Sequence, residues 1–235
     1  MRSTVLEGLN FQALQISAKD FRFLLNRGYP RKAALQLVGN RYGLTADERH
    51  LLHRGVFSDE DAKSRREKKV HLAGMMNENL AIDGYNVLIT IEAGISGRPL
   101  VLADDGFTRD ISGLSGSFKK NTKTDEALFL ILRKMKRLTP RYTLFLFDAP
   151  ISMSGRLAEE VRKRIEEAGL PGDARAVKVP EKILIGFPGV VASSDTAIID
   201  RSEKVVDLPG GILKKSVLGN LLRLRKRFLK KSRNL

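Results

Sequence analysis

The sequence predicts an α/β protein with a mostly parallel sheet (residues 71–235), preceded by a small helical domain (residues 1–70) and closed by a basic amphipathic helix. Three observations carry this. From about residue 78 short apolar runs alternate with stretches of helical spacing, the pattern of strands joined by helical crossovers. Before residue 56 only helical patterns occur, each stopped by Gly or Pro. The charge is also segregated. Residues 1–70 hold 14 Lys and Arg against 8 Asp and Glu, residues 71–211 hold 19 of each, and residues 212–235 hold nine basic residues and no acid. The net charge of +15 therefore lies entirely in the flanks, which suits a polyanionic partner held at the ends of the chain.

In the first domain, Phe21, Leu24 and Leu25 share a helical face that stops at Gly28 and Pro30. The next helix starts near Pro30, turns Ala34, Leu37 and Val38 inward and ends at Gly43. Thr45 and Glu48 stand at capping-box spacing for a third, which stops at Gly55. The helix pair around "YGLT" resembles a helix-turn-helix, although a plain small helical bundle has the same three-residue turn. Residues 58–70 are polar and charged, and read as a linker or an exposed connecting helix.

In the second domain, strands are expected at 79–90, 99–103, 142–147, 174–179, 189–193 and 204–207, with helices at 123–138 and 154–168. Ser152 and Ser154 stand where they would cap the latter helix, the favoured reading, or bind a phosphate with its N-terminal amides. The last segment places Leu213, Val217, Leu221, Leu224 and Phe228 along one seam, with Arg223, Lys226 and Arg227 among the basic residues opposite, facing phosphates. The chain has no apolar run long enough to cross a bilayer and its start lacks a signal-peptide pattern, so a cytoplasmic protein without a membrane partner is expected. With no Cys, a metal would sit on oxygen or imidazole. Walker A and G-x-G-x-x-G patterns are lacking.

Acids follow the apolar strands. Asp83 ends "LAID", Asp148 ends "TLFLFD", Asp195 follows "VVASS", and Asp104 and Asp105 follow "LVLA". In a parallel sheet these would converge on one edge, where ligands bind. Gathered carboxylates repel unless a cation neutralises them, and Mg²⁺ or Mn²⁺ is the natural occupant. Such a site on a nucleic-acid-binding protein suits phosphodiester hydrolysis.

"IDGYN", "FLFDAP" and "VVASSD" together resemble the PIN-like nuclease superfamily, most closely its NYN branch, over about residues 79–208. The resemblance implies a three-layer, Rossmann-like fold, a Mg²⁺ or Mn²⁺ site built from several acids, and ribonuclease activity, with RNA favoured over DNA as partner. Carried over position by position, Asp83, Asp148 and Asp195 match the acids of the site, Asn86 the residue that places the first acid or the substrate phosphate, and Ser193 and Ser194 the small hydroxyl residues before the late acid. Asp125 resembles a helix-start acid found elsewhere in the superfamily, and Asp104, Asp105 or Asp125 would complete the metal set. Tyr85 is a candidate to stack on a base. A helical domain ahead of such a domain also resembles an uncharacterised archaeal protein family. Two other readings stay open: a binding protein of this fold without turnover, and a small-molecule phosphohydrolase of the haloacid dehalogenase type. The latter needs a second Asp two residues after the first, which "DGYN" and "DAPI" both lack. Oligomeric state is open, a homodimer included.

Overall fold

The computed structural model describes residues 9–111 and 118–213, and the backbone alone of 221–223. Three helices, α1 (Phe11–Asn26), α2 (Arg31–Arg41) and α3 (Ala46–Gly55), form the first layer, followed by α4 (Asp59–Lys68). The chain then alternates: β1 (Lys69–Val70), β2 (Asn79–Asp83), α5 (Gly84–Ile95), β3 (Leu100–Leu102), β4 (Thr108–Asp110), α6 (Thr122–Leu138), β5 (Tyr142–Asp148), α7 (Ser154–Glu167), β6 (Gly172–Val177), α8 (Pro180–Ile185), β7 (Val190–Ala192), α9 (Thr196–Arg201), β8 (Lys204–Val206), α10 (Leu208–Leu213) and β9 (Leu221–Arg223).

Six strands build one sheet in the order β1-β8-β7-β2-β5-β6, every pair parallel. The alternating side chains of β2 and β5 divide the core. Leu80, Ile82, Phe145 and Phe147 pack with α5, α6 and α7 residues such as Leu88, Ile131 and Val161. Ala81, Leu144 and Leu146 face the opposite way and pack with Leu184 of α8 and Ile198 of α9. The result is a three-layer α/β/α arrangement of Rossmann-like appearance. From β2 the chain moves to β5 and β6; from β7 it moves the other way to β8. The crevice between β2 and β7 is therefore the topological switch point, where open parallel sheets bind ligands.

Several sequence expectations change. The run 79–90 is not one strand: it ends at Asp83 and continues as α5, which is buried on nearly every side. A helix apolar all round has no hydrophobic period, so it reads like a covered strand. Gly84 permits the switch, since a Cβ there would lie 2.4 Å from the Phe147 ring and 2.8 Å from the Leu146 carbonyl oxygen. Residues 59–68 form the connecting helix, the second of the two alternatives, but it is not wholly exposed, since Ala62 and Arg65 are buried. Leu37 points outward, 58% exposed.

β3 leaves the main sheet altogether. It pairs antiparallel with β4 and parallel with β9 in a separate ribbon. Leu221–Arg223 is thus a strand where a helix was expected. Lys226 and Arg227 lie outside the described residues, as does most of that expected helix. The ribbon closes the helical layer: Val101 and Ile111 join Leu14, Phe21, Val38, Leu51 and Leu52 in one core. Consequently α3 packs on the ribbon, Arg54 Nε donating to the Asp110 carbonyl at 3.3 Å, in the manner of a small bundle. The Thr45–Glu48 capping box is formed. Among the described residues no helix is long and apolar enough to cross a membrane.

Candidate functional site

At the switch point β2 delivers Asp83 and β7 delivers Ser193, Ser194 and Asp195. Ser193 Oγ donates to Asp83 Oδ2 at 2.8 Å and accepts from the Asp195 N–H at 3.0 Å, so one hydroxyl ties the two acids together. Asn86 Oδ1, in the first turn of α5, accepts from the Ser194 N–H at 3.1 Å and from Ser194 Oγ at 2.7 Å. Asn86 therefore fixes the turn that carries Asp195. Asp195 in turn caps α9, its Oδ1 accepting from the Ala197 and Ile198 N–H groups. Its cap role leaves Oδ2 without a protein partner among the described residues.

On the other side of β2, Asp83 stands opposite Leu146 of β5, and Asp148 lies two residues farther on, about 7 Å along the strand direction. No hydrogen bond or ion pair holds the Asp148 side chain among the described residues. A fourth acid joins them. Glu181, in the first turn of α8 just beyond β6, acts electrostatically on both Asp83 and Asp148.

These acids repel one another. Asp83 is half-buried as a residue, but its carboxylate is enclosed, and burial pushes its pKa up to about 7. The Ser193 hydrogen bond and the Asn86 backbone N–H oppose the rise, while the charges of Asp195 and Glu181 add to it. Burial and then Glu181 raise Asp148 as well. No cation of the chain relieves either one among the described residues.

Asp104 and Asp105 are elsewhere, because β3 belongs to the ribbon. Asp104 accepts from Arg22 Nε and Nη2 of α1 at 2.9 and 2.6 Å and from the Phe57 N–H at 3.2 Å, joining the helical layer to the ribbon. Asp105, fully buried, takes a bidentate pair from Arg109 at 2.8 and 2.7 Å, with Arg65 at 3.5 Å. Burial alone would raise the Asp105 pKa, but Arg109 and Arg65 hold it below the usual carboxylate value. Both acids are thus already neutralised and are not free for a metal. Asp125, on α6, pairs with Arg164 and Lys120 on the half-exposed surface between α6 and α7. It too is answered by cations of the chain.

Arg109 nevertheless serves the site from behind. Its Nε donates to the Ser194 carbonyl at 2.8 Å, so the buried pair with Asp105 props the turn that presents Asp195. The guanidinium groups of Arg31, Arg65 and Arg109 all stack on the Phe57 ring, at 4.6, 4.6 and 5.0 Å. From the helical layer, Arg54 comes within the field of Asp195; burial, then Arg109, lowers its pKa, while Asp110, Asp195 and Asp105 act the other way. Among the described residues its one hydrogen bond is the long one to the Asp110 carbonyl, which leaves donors for an anion.

Tyr85 is not available for stacking on a base. Its ring lies in the core, 4.9 Å from Phe118 and 5.3 Å from Phe147, and only 6% of the residue is exposed. Its hydroxyl has no hydrogen-bond partner among the described residues, which costs about 1–3 kcal/mol if it stays unmet. Only the backbone of Arg223 is described, in β9, and the rest of the C-terminal basic run lies outside the described residues.

Among the described residues no group of three or more His, Cys, Asp or Glu side chains is set to hold a metal ion. The donor chemistry still fits a hard divalent cation of low protein coordination. Mg²⁺ commonly takes one or two carboxylates and fills its remaining positions with water and substrate phosphate. Asp83 and Asp148 supply such a pair from adjacent strands.

Sequence reasoning missed Glu181 and Arg54. Glu181 follows the same rule as the other acids, an acid after an apolar strand, but "KVP" separates it from the strand end. Arg54 lies in another domain and no local pattern points to it.

Residues 13–68 match a family model described as a protein of unknown function, DUF434, and residues 72–211 match one described as a domain of unknown function, DUF5616. The chain is 35% identical over 198 residues to the uncharacterized protein MJ0935 of Methanocaldococcus jannaschii, an alignment that covers 83% of this chain and 94% of that protein. No solved structure matches it. Since the second family match takes in more than half of the chain, and with it Asp83, Asp148, Glu181 and Asp195, the protein belongs to the DUF5616 family.

Proposed function

We propose that the protein is a metal-dependent ribonuclease of PIN-like type, with Asp83 and Asp148 as the carboxylates that hold Mg²⁺ or Mn²⁺ and Asp195 reaching it through water. One observation carries this reading: at the switch point of a parallel sheet, Asp83 lies in the fields of Asp195 and Glu181 and Asp148 in that of Glu181, and no cation of the chain relieves Asp83 or Asp148 among the described residues. Asp104 and Asp105, by contrast, are each answered by an arginine of the chain. A divalent ion bound there would draw charge from a phosphoryl oxygen and favour in-line attack by water.

The chain's own residues divide the remaining work. Glu181 is the proton acceptor for the attacking water, being near both acids and engaged by no other group among the described residues. Ser193 and Asn86 hold Asp83 and the Asp195 turn in register, and Ser194 is positioned by them rather than free to bind substrate. Arg54 takes charge from the phosphate on the β7 side. RNA is the favoured polymer on the resemblance of "IDGYN" and its companion motifs to NYN nucleases.

The test is cleavage of labelled single-stranded RNA with Mn²⁺, Mg²⁺ or EDTA, wild type beside Asp83→Asn. Cleavage that needs the metal and drops at least about 100-fold in the variant, with RNA binding retained, is expected. Cleavage unaffected by EDTA or by the substitution would overturn the assignment. A second reading, RNA binding without turnover, has the lack of a preformed three-ligand group in its favour. Tight binding with no cleavage under any metal would establish it.

A further inference from the structure

A cleft of about 610 Å³ opens beside the acids, lined by Tyr85, Phe118, Ile151, Met153 and Leu157, with Lys119, Lys120 and Arg156 among its polar residues. It begins where the site ends. Tyr85 is two residues beyond Asp83, and the segment 150–153 begins two residues beyond Asp148. Its size falls within the range of small-ligand sites.

Three features give the cleft a chemical character. The first is the N-terminus of α7, a helix of 14 residues. Ser152 and Ser154 were expected to cap it, but the N-cap is Met153, which has no side-chain bond to the first turn, and Ser154 Oγ turns back to the Ala149 carbonyl at 3.2 Å. Nor does the first turn carry an acid. The Ser154 N–H donates to the Ile151 carbonyl at 3.2 Å, but the Gly155 and Arg156 amides have no partner among the described residues and are open to an anion. The second is charge. Lys120 is engaged by Glu160 and Asp125, whereas Lys119 and Arg156 are exposed and have no partner among the described residues. The third is the Tyr85 hydroxyl, without a hydrogen-bond partner among the described residues, on a residue 94% removed from solvent that lines the cleft together with Phe118, Ile151 and Leu157. An uncapped helix start with two free cations asks for a phosphate; a flat apolar recess with one polar group asks for a ring that can hydrogen-bond at its edge.

We infer that this cleft binds the nucleotide next to the cleaved bond: its phosphate at the start of α7 with Arg156 and Lys119, its base against Phe118, Ile151 and Leu157, with the Tyr85 hydroxyl meeting the base edge. This rests on the ribonuclease reading for the identity of the polymer. It adds that the enzyme discriminates among bases at one position. Tyr85 acts here through its hydroxyl, since its ring is held in the core.

The experiment is fluorescence anisotropy in EDTA, with fluorescein-labelled single-stranded RNA decamers of A, C and U, and inorganic phosphate and the nucleoside monophosphates as competitors. Wild type is expected to prefer one homopolymer. Arg156→Ala should weaken all three about 5- to 20-fold and flatten the salt dependence. Tyr85→Phe should narrow the spread among bases by about 3- to 10-fold, with a melting temperature unchanged or higher because an unmet buried hydroxyl is removed. If the homopolymers bind equally and Tyr85→Phe changes nothing, or if the wild type binds none of them, the subsite is overturned. Because turnover is not read, the two proposals fail separately. Selective binding with no metal-dependent cleavage leaves the cleft and removes the nuclease; cleavage without an effect of Arg156 or Tyr85 does the reverse.

Discussion

Asp83 and Asp105 both follow short apolar strands and both have enclosed carboxylates, yet their proton affinities move in opposite directions. Around Asp105 the chain supplies Arg109 and Arg65, which outweigh the cost of burial and hold the acid ionised. Around Asp83 it supplies Asp195 and Glu181, which add to that cost. The first acid is a structural anchor, complete within the fold. The second is incomplete, and what completes it has to come from outside the chain. Motif alone does not separate the two; the sign of the surrounding charge does.

The largest effect should come from breaking the anchor. Asp105→Asn leaves Arg109 buried and only partly answered, a change that typically costs about 3–5 kcal/mol. For a protein of this size that is a melting temperature lower by roughly 6–20 °C. The substitution should also impair activity, since Arg109 then loses the partner that holds it under the Ser194 carbonyl. A loss below about 1 kcal/mol in a denaturant titration would mean the arginine cluster on Phe57 stands without its acid.

The opposite sign is expected at Asp83. Its folded pKa of about 7 exceeds the ordinary value of 3.8, so the folded state holds a proton that the unfolded state releases. Its contribution therefore lowers stability as pH climbs from about 4 to 7, by on the order of 4 kcal/mol in total, and is constant above that window. Asp83→Asn should be close to neutral in stability at pH 4 and stabilising at pH 8. Melting curves at the two pH values read the difference. An Asp83→Asn protein equally or less stable at pH 8 would remove the repulsion on which the site assignment rests. Asp105 behaves inversely, its contribution present above the unfolded value and lost as pH falls through the lower folded one.

How far these two acids could be told apart beforehand depends on what is local. The ends of β5 and β7 were legible because apolar runs and their stops are read from a few residues, whereas β2 was read on past Asp83 to residue 90; the parallel order of the three brings Asp83, Asp148 and Asp195 to one edge. "LVLADD" has the same local form, but whether β3 joins the main sheet is decided by pairing with β4 and β9 and by the helical core that Val101 and Ile111 complete. No window of sequence contains that information. The same holds for Arg22 and Asp104, 82 residues apart, and for Arg65 and Asp200, 135 apart. The helix α5 was misread for a different reason, its burial on nearly every side.

Metal binding sharpens the contrast further. Mn²⁺ needs Asp83 ionised, so calorimetric titrations should show proton release, close to half a proton at pH 7 and nearly a whole one at pH 6, with affinity falling up to tenfold per unit below 7. Bound metal should raise the melting temperature of the wild type and leave Asp83→Asn unmoved. The same titration on Asp105→Asn separates the roles: its Mn²⁺ site should persist at temperatures where the variant is folded, because Asp105 is no ligand. Affinity independent of pH between 6 and 8 would place the metal away from Asp83.

The smallest effect concerns Arg54, which belongs to the helical layer but lies in the field of Asp195. Its single hydrogen bond, at 3.3 Å to a backbone carbonyl, contributes little to stability, so Arg54→Ala should shift the melting temperature by no more than a few degrees. If the guanidinium meets the substrate phosphate, the same variant should bind single-stranded RNA about 3- to 10-fold more weakly and lose part of its salt dependence. Arg54→Lys should restore charge without the planar fork, recovering the salt dependence more fully than the affinity. Equal binding by all three forms would return Arg54 to the ribbon contact alone, and the helical layer would then support the acid-lined edge only from behind, through Phe57 and the arginines stacked upon it.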